Sequence, residues 1–170
     1  MKLRTPYLAL ASVIAALSAC GANIESSGDS SRSPVAVSAA PPGLTVYKNE
    51  SCGCCAAWVE HMRHAGFLVD VRNVDNLEPV KSSVGVPAGK GSCHTAQVGR
   101  YFIEGHVPAE DVKRLLAERP DAKGLTVPQM PLGSPGMETA DGDVEPYEVL
   151  LVANDGSTTV YARHGEARDR

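Results

Sequence analysis

The sequence predicts an α/β domain, and two observations predict this class. Short apolar runs of strand length, such as 44–47 and 67–71, alternate with segments whose apolar residues recur at helical spacing. In addition, two pairs of strand-like runs are each joined by a short turn that contains glycine, as the strands of β-hairpins are. A chain that mixes elements in this way packs them in layers around one hydrophobic core.

The first half of the domain is predicted to place a cysteine-rich loop between a strand and a helix. In chain order its elements are a strand at 44–47, a helix at 55–65, a strand at 67–71 and a short helix or irregular segment at 77–83. Gly66 is a suitable cap for the first helix, because glycine readily adopts the left-handed conformation that ends helices. Trp58 and Met62 fall on the apolar stripe of this helix, so we expect both to pack in the core. His61 and His64 fall on its outer face, where we expect them to be solvated.

The second half is predicted to contain two hairpins, with a helix and a long loop between them. In chain order the elements are strands at 92–98 and 101–104, a helix from Pro108 to about Arg119, a loop at 124–138, and terminal strands at 147–152 and 158–161. The loop is rich in proline and glycine and shows no period, and loops of this length in compact domains are usually functional or disordered. It also carries the thioethers of Met130 and Met137, which make the functional interpretation the more interesting one.

The N-terminal residues are typical of an exported lipoprotein. Lys2 and Arg4 precede an apolar run at 7–17 that is too short to span a bilayer, and Leu17–Cys20 follows at once. These last four residues resemble the lipobox of bacterial lipoproteins, in which the cysteine becomes the acylated first residue of the mature chain. Gly21, not aspartate, follows the cysteine, which by the usual sorting pattern suggests the outer membrane of a Gram-negative bacterium. Cleavage by ordinary signal peptidase slightly further along the chain is the alternative.

We therefore expect four regions and a periplasmic location. The regions are a signal peptide at 1–19, a flexible tether at 20–42 rich in small residues and proline, a folded domain at 43–163 and a disordered tail at 164–170. The acylated Cys20 would anchor the protein to the membrane. The formal net charge is −4 and the basic residues form no cluster, which argues against nucleic acid as a partner.

Cysteines are concentrated at the predicted start of the first helix. The N-terminus of a helix favours thiolate over thiol, because its unpaired N–H groups and the helix dipole present positive charge. If Cys20 is acylated, the remaining thiols are Cys52, Cys54, Cys55 and Cys93. Adjacent Cys54 and Cys55 cannot easily pair, whereas a disulfide between Cys52 and Cys55 is geometrically reasonable.

The order of strand, cysteine-bearing helix, strand, connector, hairpin and helix resembles the thioredoxin-like fold, an α/β class in which helices flank a small mixed sheet. In such folds the first hairpin strand begins beside the cysteine loop, usually with a cis-proline at that place. In this chain Ser92–His94 occupies the equivalent position. The resemblance therefore implies that Cys93 and His94 lie beside the three other thiols.

Four motifs, in order along the chain, resemble those of the exported CopG-type copper-resistance family, which is distinct from the DNA-binding repressors of the same name. They are Cys-Gly-Cys-Cys at 52–55, Ser-Cys-His-Thr-Ala at 92–96, Glu-Gly-His-Val-Pro at 104–108 and Met-Pro-Leu-Gly-Ser-Pro-Gly-Met-Glu at 130–138. The resemblance implies a thioredoxin-like domain that holds copper, with more than one ion, through its cysteines. Two departures are Gln129, where glycine is expected, and a flexible approach at 88–91 to Cys93.

The residue types point to the same metal, because thiolate and thioether sulfurs are soft ligands that select Cu(I). The candidate ligands are Cys52, Cys54, Cys55, Cys93, His94 and Met137, and the weaker candidates are Met130 and His106. Cys54 and Cys55 are neighbours and suit bridging between ions better than two corners of one site. His106 precedes the predicted helix start and is more typical of a turn or capping residue. Other periplasmic copper-handling proteins are the expected partners.

Two other functions use the same side chains. A thiol–disulfide oxidoreductase would use Cys52 as the attacking thiolate and Cys55 as its resolving partner, and Cys54 and Cys93 would then have no role. A mononuclear zinc site would use Cys52, Cys55, Cys93 and His94 and leave Cys54 unused. Copper could also change oxidation state while two thiols form a disulfide. The sequence leaves storage, transfer and redox conversion open.

Overall fold

A computed structural model describes residues 42–165 as a mixed α/β domain. The strands are β1 (Gly43–Lys48), β2 (Leu68–Asn73), β3 (His94–Val98), β4 (Tyr101–Glu104), β5 (Gly124–Thr126), β6 (Tyr147–Val152) and β7 (Thr158–His164). The helices are α1 (Gly53–His64), α2 (Glu78–Val84) and α3 (Ala109–Glu118). The predicted signal peptide, the acylated Cys20, the tether up to residue 41 and the tail from residue 166 lie outside the described residues.

All the described strands belong to one sheet, in the order β2-β1-β3-β4-β5-β6-β7. β1 and β2 are parallel, as are β4 and β5, and the other neighbours are antiparallel. The fold is thioredoxin-like, as the sequence predicted, with β6 and β7 as the added C-terminal hairpin. None of the helices in the described part of the chain is long and apolar enough to cross a membrane.

The core is formed where α1 and α3 pack on the sheet. Helix α1 buries Cys55, Trp58, Val59 and Met62 on one side, as the helical spacing of its apolar residues predicted. Cys55 and Trp58 therefore anchor the start of α1 in the core, and Cys55 is the cysteine of the loop whose side chain is fully buried.

Three expectations from the sequence need correction. Gly124–Thr126 is a fully buried strand, not part of a loop, and three residues are too few to show a period. His164 belongs to β7 and does not begin the tail, because its ring stacks on Tyr147 and its Nε2 lies 2.6 Å from Asp111 Oδ2. His61 is half-buried, not solvated, since the backbone N–H of Ala109 donates to its Nε2 at 3.0 Å.

Candidate metal centre

The cysteine loop is held in place by its own local hydrogen bonds. Cys52 is the N-cap of α1, and its sulfur accepts from the backbone N–H of Cys55 at 3.4 Å. Buried Lys48, the last residue of β1, donates through Nζ to the carbonyl oxygens of Asn49 at 2.8 Å and Glu50 at 3.3 Å. The loop therefore leaves the sheet in one defined conformation and delivers three cysteines to the helix start.

Cys52 and Cys55 form a disulfide, as the spacing allowed, with their Cα atoms 5.4 Å apart. Cys55 is buried and Cys52 is half-buried. Among the described cysteines, Cys54 and Cys93 carry free thiols, and both are half-buried. The structure thus contains the oxidised form of the loop, in which two sulfurs are already used by each other.

The structure brings Cys93 to the three sulfurs of the loop. Cys54 Sγ lies 3.5 Å from Cys52 Sγ and 3.9 Å from Cys93 Sγ. The sulfur of Cys55 lies 3.6 Å from the carbonyl oxygen of Cys93. All four sulfurs lie within 4.8 Å of one another, which is the spacing of groups that can share metal ions.

Hydrogen bonds hold the segment before Cys93 in place, although the sequence predicted residues 88–91 to be flexible. Thr126 Oγ1 donates to the carbonyl oxygen of Lys90 at 2.6 Å, and Gln129 N–H donates to that of Gly91 at 3.2 Å. The Ser92 hydroxyl donates back to the carbonyl oxygen of Gln129. Strand β5 and the residues after it therefore hold the segment in front of Cys93 along its length.

His94 is fully buried and turns one ring nitrogen towards Cys93. Its Nδ1 lies 3.4 Å from Cys93 Sγ, and its ring centroid lies 4.4 Å from that of Trp58. Burial, followed by the nearby His106 and Lys81, lowers the pKa of His94, so the ring is neutral at physiological pH. Its Nε2 has no hydrogen-bond partner among residues 42–165. A buried ring nitrogen without a hydrogen-bond partner is costly, and the nitrogen that faces the candidate site is the other one, Nδ1.

His106 is the residue that the sequence placed least well. It was expected to be a turn or capping residue, but it is buried with its Nε2 3.1 Å from Cys93 Sγ. Its Nδ1 lies 2.8 Å from the carbonyl oxygen of Pro135, which can only accept, so Nδ1 carries the proton. Burial lowers the pKa of His106, which leaves Nε2 as a lone pair facing the sulfur. Metal-bound histidines commonly have this arrangement, with the second ring nitrogen fixed by a carbonyl.

The proline- and glycine-rich segment lies against the start of α1. A Cβ on Gly136 would be 2.7 Å from both the carbonyl oxygen of Cys54 and the backbone nitrogen of Trp58, so only glycine fits this contact. Met137 follows it, is half-buried, and closes a turn with Ser134 through a 2.7 Å hydrogen bond. Met130, the weaker candidate, is 46% exposed.

The pKa of the free thiol of Cys93 is raised, whereas the sequence predicted that the helix dipole favours thiolate at the cysteines of the loop. Cys93 precedes β3 and does not lie on a helix. Burial, followed by the neighbouring Cys54, raises the pKa of Cys93 to about 12. At neutral pH this thiol keeps its proton, so binding of a metal ion must release it.

These donors fit a soft metal ion. After reduction of the disulfide, four sulfurs and two neutral imidazoles form one group, since Cys93, His94 and His106 make a second triad within 4.8 Å that shares Cys93 with the thiol cluster. Thiolates and imidazole bind Cu(I) and Zn(II), and a thiolate-rich set favours Cu(I). Trp58 and His94, whose ring centroids lie 4.4 Å apart, are fully buried beside this group.

Comparisons with known proteins point in the same direction. The family model described as "Protein of unknown function, DUF411" matches residues 90–137, which include Cys93, His94 and His106. Two solved structures of copper resistance protein CopG, Form 1 and Form 2, each align with a TM-score of 0.69 and 41% sequence identity. Each alignment covers 73% of this chain and 98% of the other. No curated protein matches the chain.

Proposed function

Because the chain belongs to the CopG family of copper resistance proteins, we propose that it binds Cu(I) through its cysteine thiolates and thereby contributes to copper resistance. The observation that carries the proposal is the group of four cysteine sulfurs within 4.8 Å of one another. Copper is the cargo of this site. Its proposed partners are other periplasmic copper-handling proteins.

We propose that the bound copper is multinuclear. Cys54 and Cys55 are adjacent in the chain, and their sulfurs bridge different ions more readily than they occupy two corners of one tetrahedron. Cys52 and Cys93 complete the thiolate set, and His94 and His106 supply imidazole nitrogens beside Cys93. Of the two thioethers, Met137 is favoured as a further ligand over the exposed Met130.

An anaerobic Cu(I) titration of the reduced protein, followed by native mass spectrometry, tests this proposal. We expect more than one copper ion per chain, with fewer ions in Cys93→Ser. Binding of at most one ion, unchanged by Cys93→Ser, would contradict a multinuclear site. A second titration with Zn(II) tests the zinc alternative: one tightly bound Zn(II) that a Cu(I) chelate at equal concentration does not displace would favour a Cys₃His site.

The disulfide supports a second candidate function, redox conversion of copper. Two Cu(II) ions would each take one electron from the thiolates of Cys52 and Cys55, giving two Cu(I) ions and the disulfide.

The same pair of cysteines would also serve a thiol–disulfide oxidoreductase. Cys52 is half-buried and Cys55 is buried, which fits the attacking and resolving roles respectively. Rapid reduction of a protein disulfide by the copper-free reduced form, abolished by Cys52→Ser, would favour the oxidoreductase.

We further propose that the protein is a lipoprotein of the outer membrane, with residues 1–19 removed and Cys20 acylated. The domain at 43–163 would then face the periplasm on a tether, where disulfides form and where copper enters the cell envelope. Metabolic labelling with a fatty-acid analogue tests this. We expect label and membrane association in the wild type, and neither in Cys20→Ala.

A further inference from the structure

Lys81 and Glu104 form a buried ion pair next to the candidate metal centre. They lie on α2 and β4, which contribute no cysteine to that centre. Glu104, the last residue of β4, is fully buried, and Lys81 of α2 reaches it with only 8% of its own surface exposed. Removing two charges from water is costly even when they pair, so a buried ion pair is weak evidence for stability alone. The contacts of the carboxylate give it another role.

The carboxylate of Glu104 accepts hydrogen bonds at both oxygens. Oε1 accepts from the backbone N–H of Ser92 at 2.6 Å and from Lys81 Nζ. Oε2 accepts from the hydroxyl of Thr95 at 2.7 Å, and Lys81 Nζ donates to the same hydroxyl oxygen at 3.1 Å. Ser92 and Thr95 stand on either side of Cys93 and His94, so one side chain holds both ends of the segment that carries these two residues.

Few other residues could make these contacts. A glutamine offers one acceptor oxygen where the carboxylate offers two, and an apolar residue offers none. Lys81 supplies the charge that allows an ionised carboxylate to stay in the core, and it also orients the Thr95 hydroxyl towards Oε2. Gly105 adds a steric constraint, since a Cβ there would lie 2.6 Å from Ser92 Cβ.

We propose that Glu104 is the positioning residue of the metal centre, which fixes Ser92 and Thr95 so that the Cys93 thiol meets Cys54 and His106. The proposal rests on the proposed function, because it takes the thiol cluster to be the copper site. It assigns Glu104 no direct contact with copper. Glu104 would lower the entropic cost of copper binding, because a preorganised ligand segment loses less conformational freedom when the ion binds.

The test compares Glu104→Ala with Asp111→Ala. Asp111 is also a buried carboxylate with ion pairs, to Arg114 and His164, but it lies on α3 and makes none of the contacts described for the metal centre. In metal-free reduced protein, we expect amide hydrogen exchange at Ser92 to rise about tenfold or more in Glu104→Ala and to stay within about twofold of the wild type in Asp111→Ala. In competition with a chromophoric Cu(I) chelator, we expect affinity to fall about 10- to 100-fold in Glu104→Ala alone.

A second pair of variants decides the matter if Glu104→Ala does not fold. Both carry Lys81→Met, so no buried cation is left unpaired, and they differ in Glu104→Gln or Glu104→Leu, which are of similar size. We expect the glutamine variant, which retains an acceptor for Ser92 N–H, to bind Cu(I) at least about tenfold more tightly than the leucine variant.

Equal affinity in this pair, or wild-type affinity and Ser92 exchange in Glu104→Ala, would overturn the positioning role. Failure of the proposed function has a different signature. The wild type would then bind no Cu(I) at all, while Ser92 exchange in the metal-free variants would still report whether Glu104 fixes the segment.

Discussion

Cys93 and His106 lie directly opposite each other at the open end of the β3–β4 hairpin. The ladder pairs Thr95 with Glu104, and the backbone N–H of Gly105 donates to the carbonyl oxygen of His94 at 3.1 Å. Continued by two residues beyond the ladder, this register sets Cys93 against His106. The register of the hairpin therefore places Cys93 and His106 opposite each other, and Cys93 Sγ lies 3.1 Å from His106 Nε2.

This pairing predicts that His106 contributes to copper binding. His106→Asn keeps a side-chain N–H near the position of Nδ1, for the carbonyl of Pro135, but removes the nitrogen that faces Cys93. We expect Cu(I) affinity to fall about tenfold or more, measured anaerobically against a competing chelator. His64→Asn, on the exposed part of α1, serves as the control and should bind as the wild type does. Wild-type affinity in His106→Asn would show that His106 only packs beside the thiol.

The role of His106 could have been found in the sequence. The turn at Gly99-Arg100 fixes the register of the hairpin, and counting outwards from it pairs Cys93 with His106. The thioredoxin-like order and the apolar stripe of α1 were also readable, because both depend on periodicity and on the order of elements. Each of these features depends on neighbouring residues or on a repeated spacing, so it can be recognised in the sequence.

The contacts of the segment 124–138 could not be predicted in this way. Strand β5 is too short to show alternation, and its pairing with β4 depends on long-range packing. Pro135 reaches His106, and Gly136 reaches Cys54, through a chain with no period. The carboxylate of Glu104 shows the same limit, since the sequence marks it only as one member of a motif. Its partners Lys81 and Ser92 come from different elements.

Cys54 distinguishes the candidate functions, because only the multinuclear copper site needs it. We expect Cys54→Ser to bind fewer copper ions than the wild type, as counted by native mass spectrometry of the reduced protein. Its sulfur lies within 3.5 Å of Cys52 Sγ and 3.9 Å of Cys93 Sγ, so its loss removes a bridge between them.

The same variant should still form the Cys52–Cys55 disulfide, which thiol counting under oxidising conditions will check. Unchanged copper binding in Cys54→Ser would contradict the bridging role. It would leave the zinc site of Cys52, Cys55, Cys93 and His94, or the redox pair, as the better account.

The half-buried His61 predicts that the protein loses stability in mild acid. Burial is the main cause that lowers the pKa of His61 from 6.5, and the Nε2 of His61 must stay unprotonated to accept the N–H of Ala109. The unfolded chain therefore binds more protons than the folded chain between the lowered pKa and pH 6.5. The free energy of unfolding should be constant above that window and fall as the pH drops through it.

Urea unfolding of the metal-free protein at several pH values between about 5 and 8 measures this slope. His61→Gln places an amide near the position of Nε2 and cannot be protonated, so its slope should be shallower than that of the wild type. His64→Gln, at an exposed site on the same helix, should leave the slope unchanged. Some slope remains in every variant, because burial also lowers the pKa of His94 and His106. Equal slopes in His61→Gln and the wild type would show that His61 is not the acceptor of this helix end.

The close contact of Gly136 with α1 predicts that the segment 124–138 affects both stability and copper binding. Gly142 provides the control position. Both glycines have positive φ, of 85° and 74°, so alanine at either position costs about 1 kcal/mol of backbone strain. At Gly142 a Cβ meets nothing within 4 Å, whereas at Gly136 it lies 2.7 Å from the backbone of Cys54 and of Trp58.

We expect Gly142→Ala to lower the free energy of unfolding by about 1 kcal/mol and to keep wild-type copper binding. Gly136→Ala should lose a further ~1–3 kcal/mol or lift the loop from α1. If the loop lifts, Pro135 withdraws its carbonyl from His106 and Cu(I) affinity falls with it. Chemical denaturation and chelator competition on the two variants measure both effects. Equal stability and equal Cu(I) affinity in the two alanine variants would show that the contact between Gly136 and α1 does not affect the metal centre.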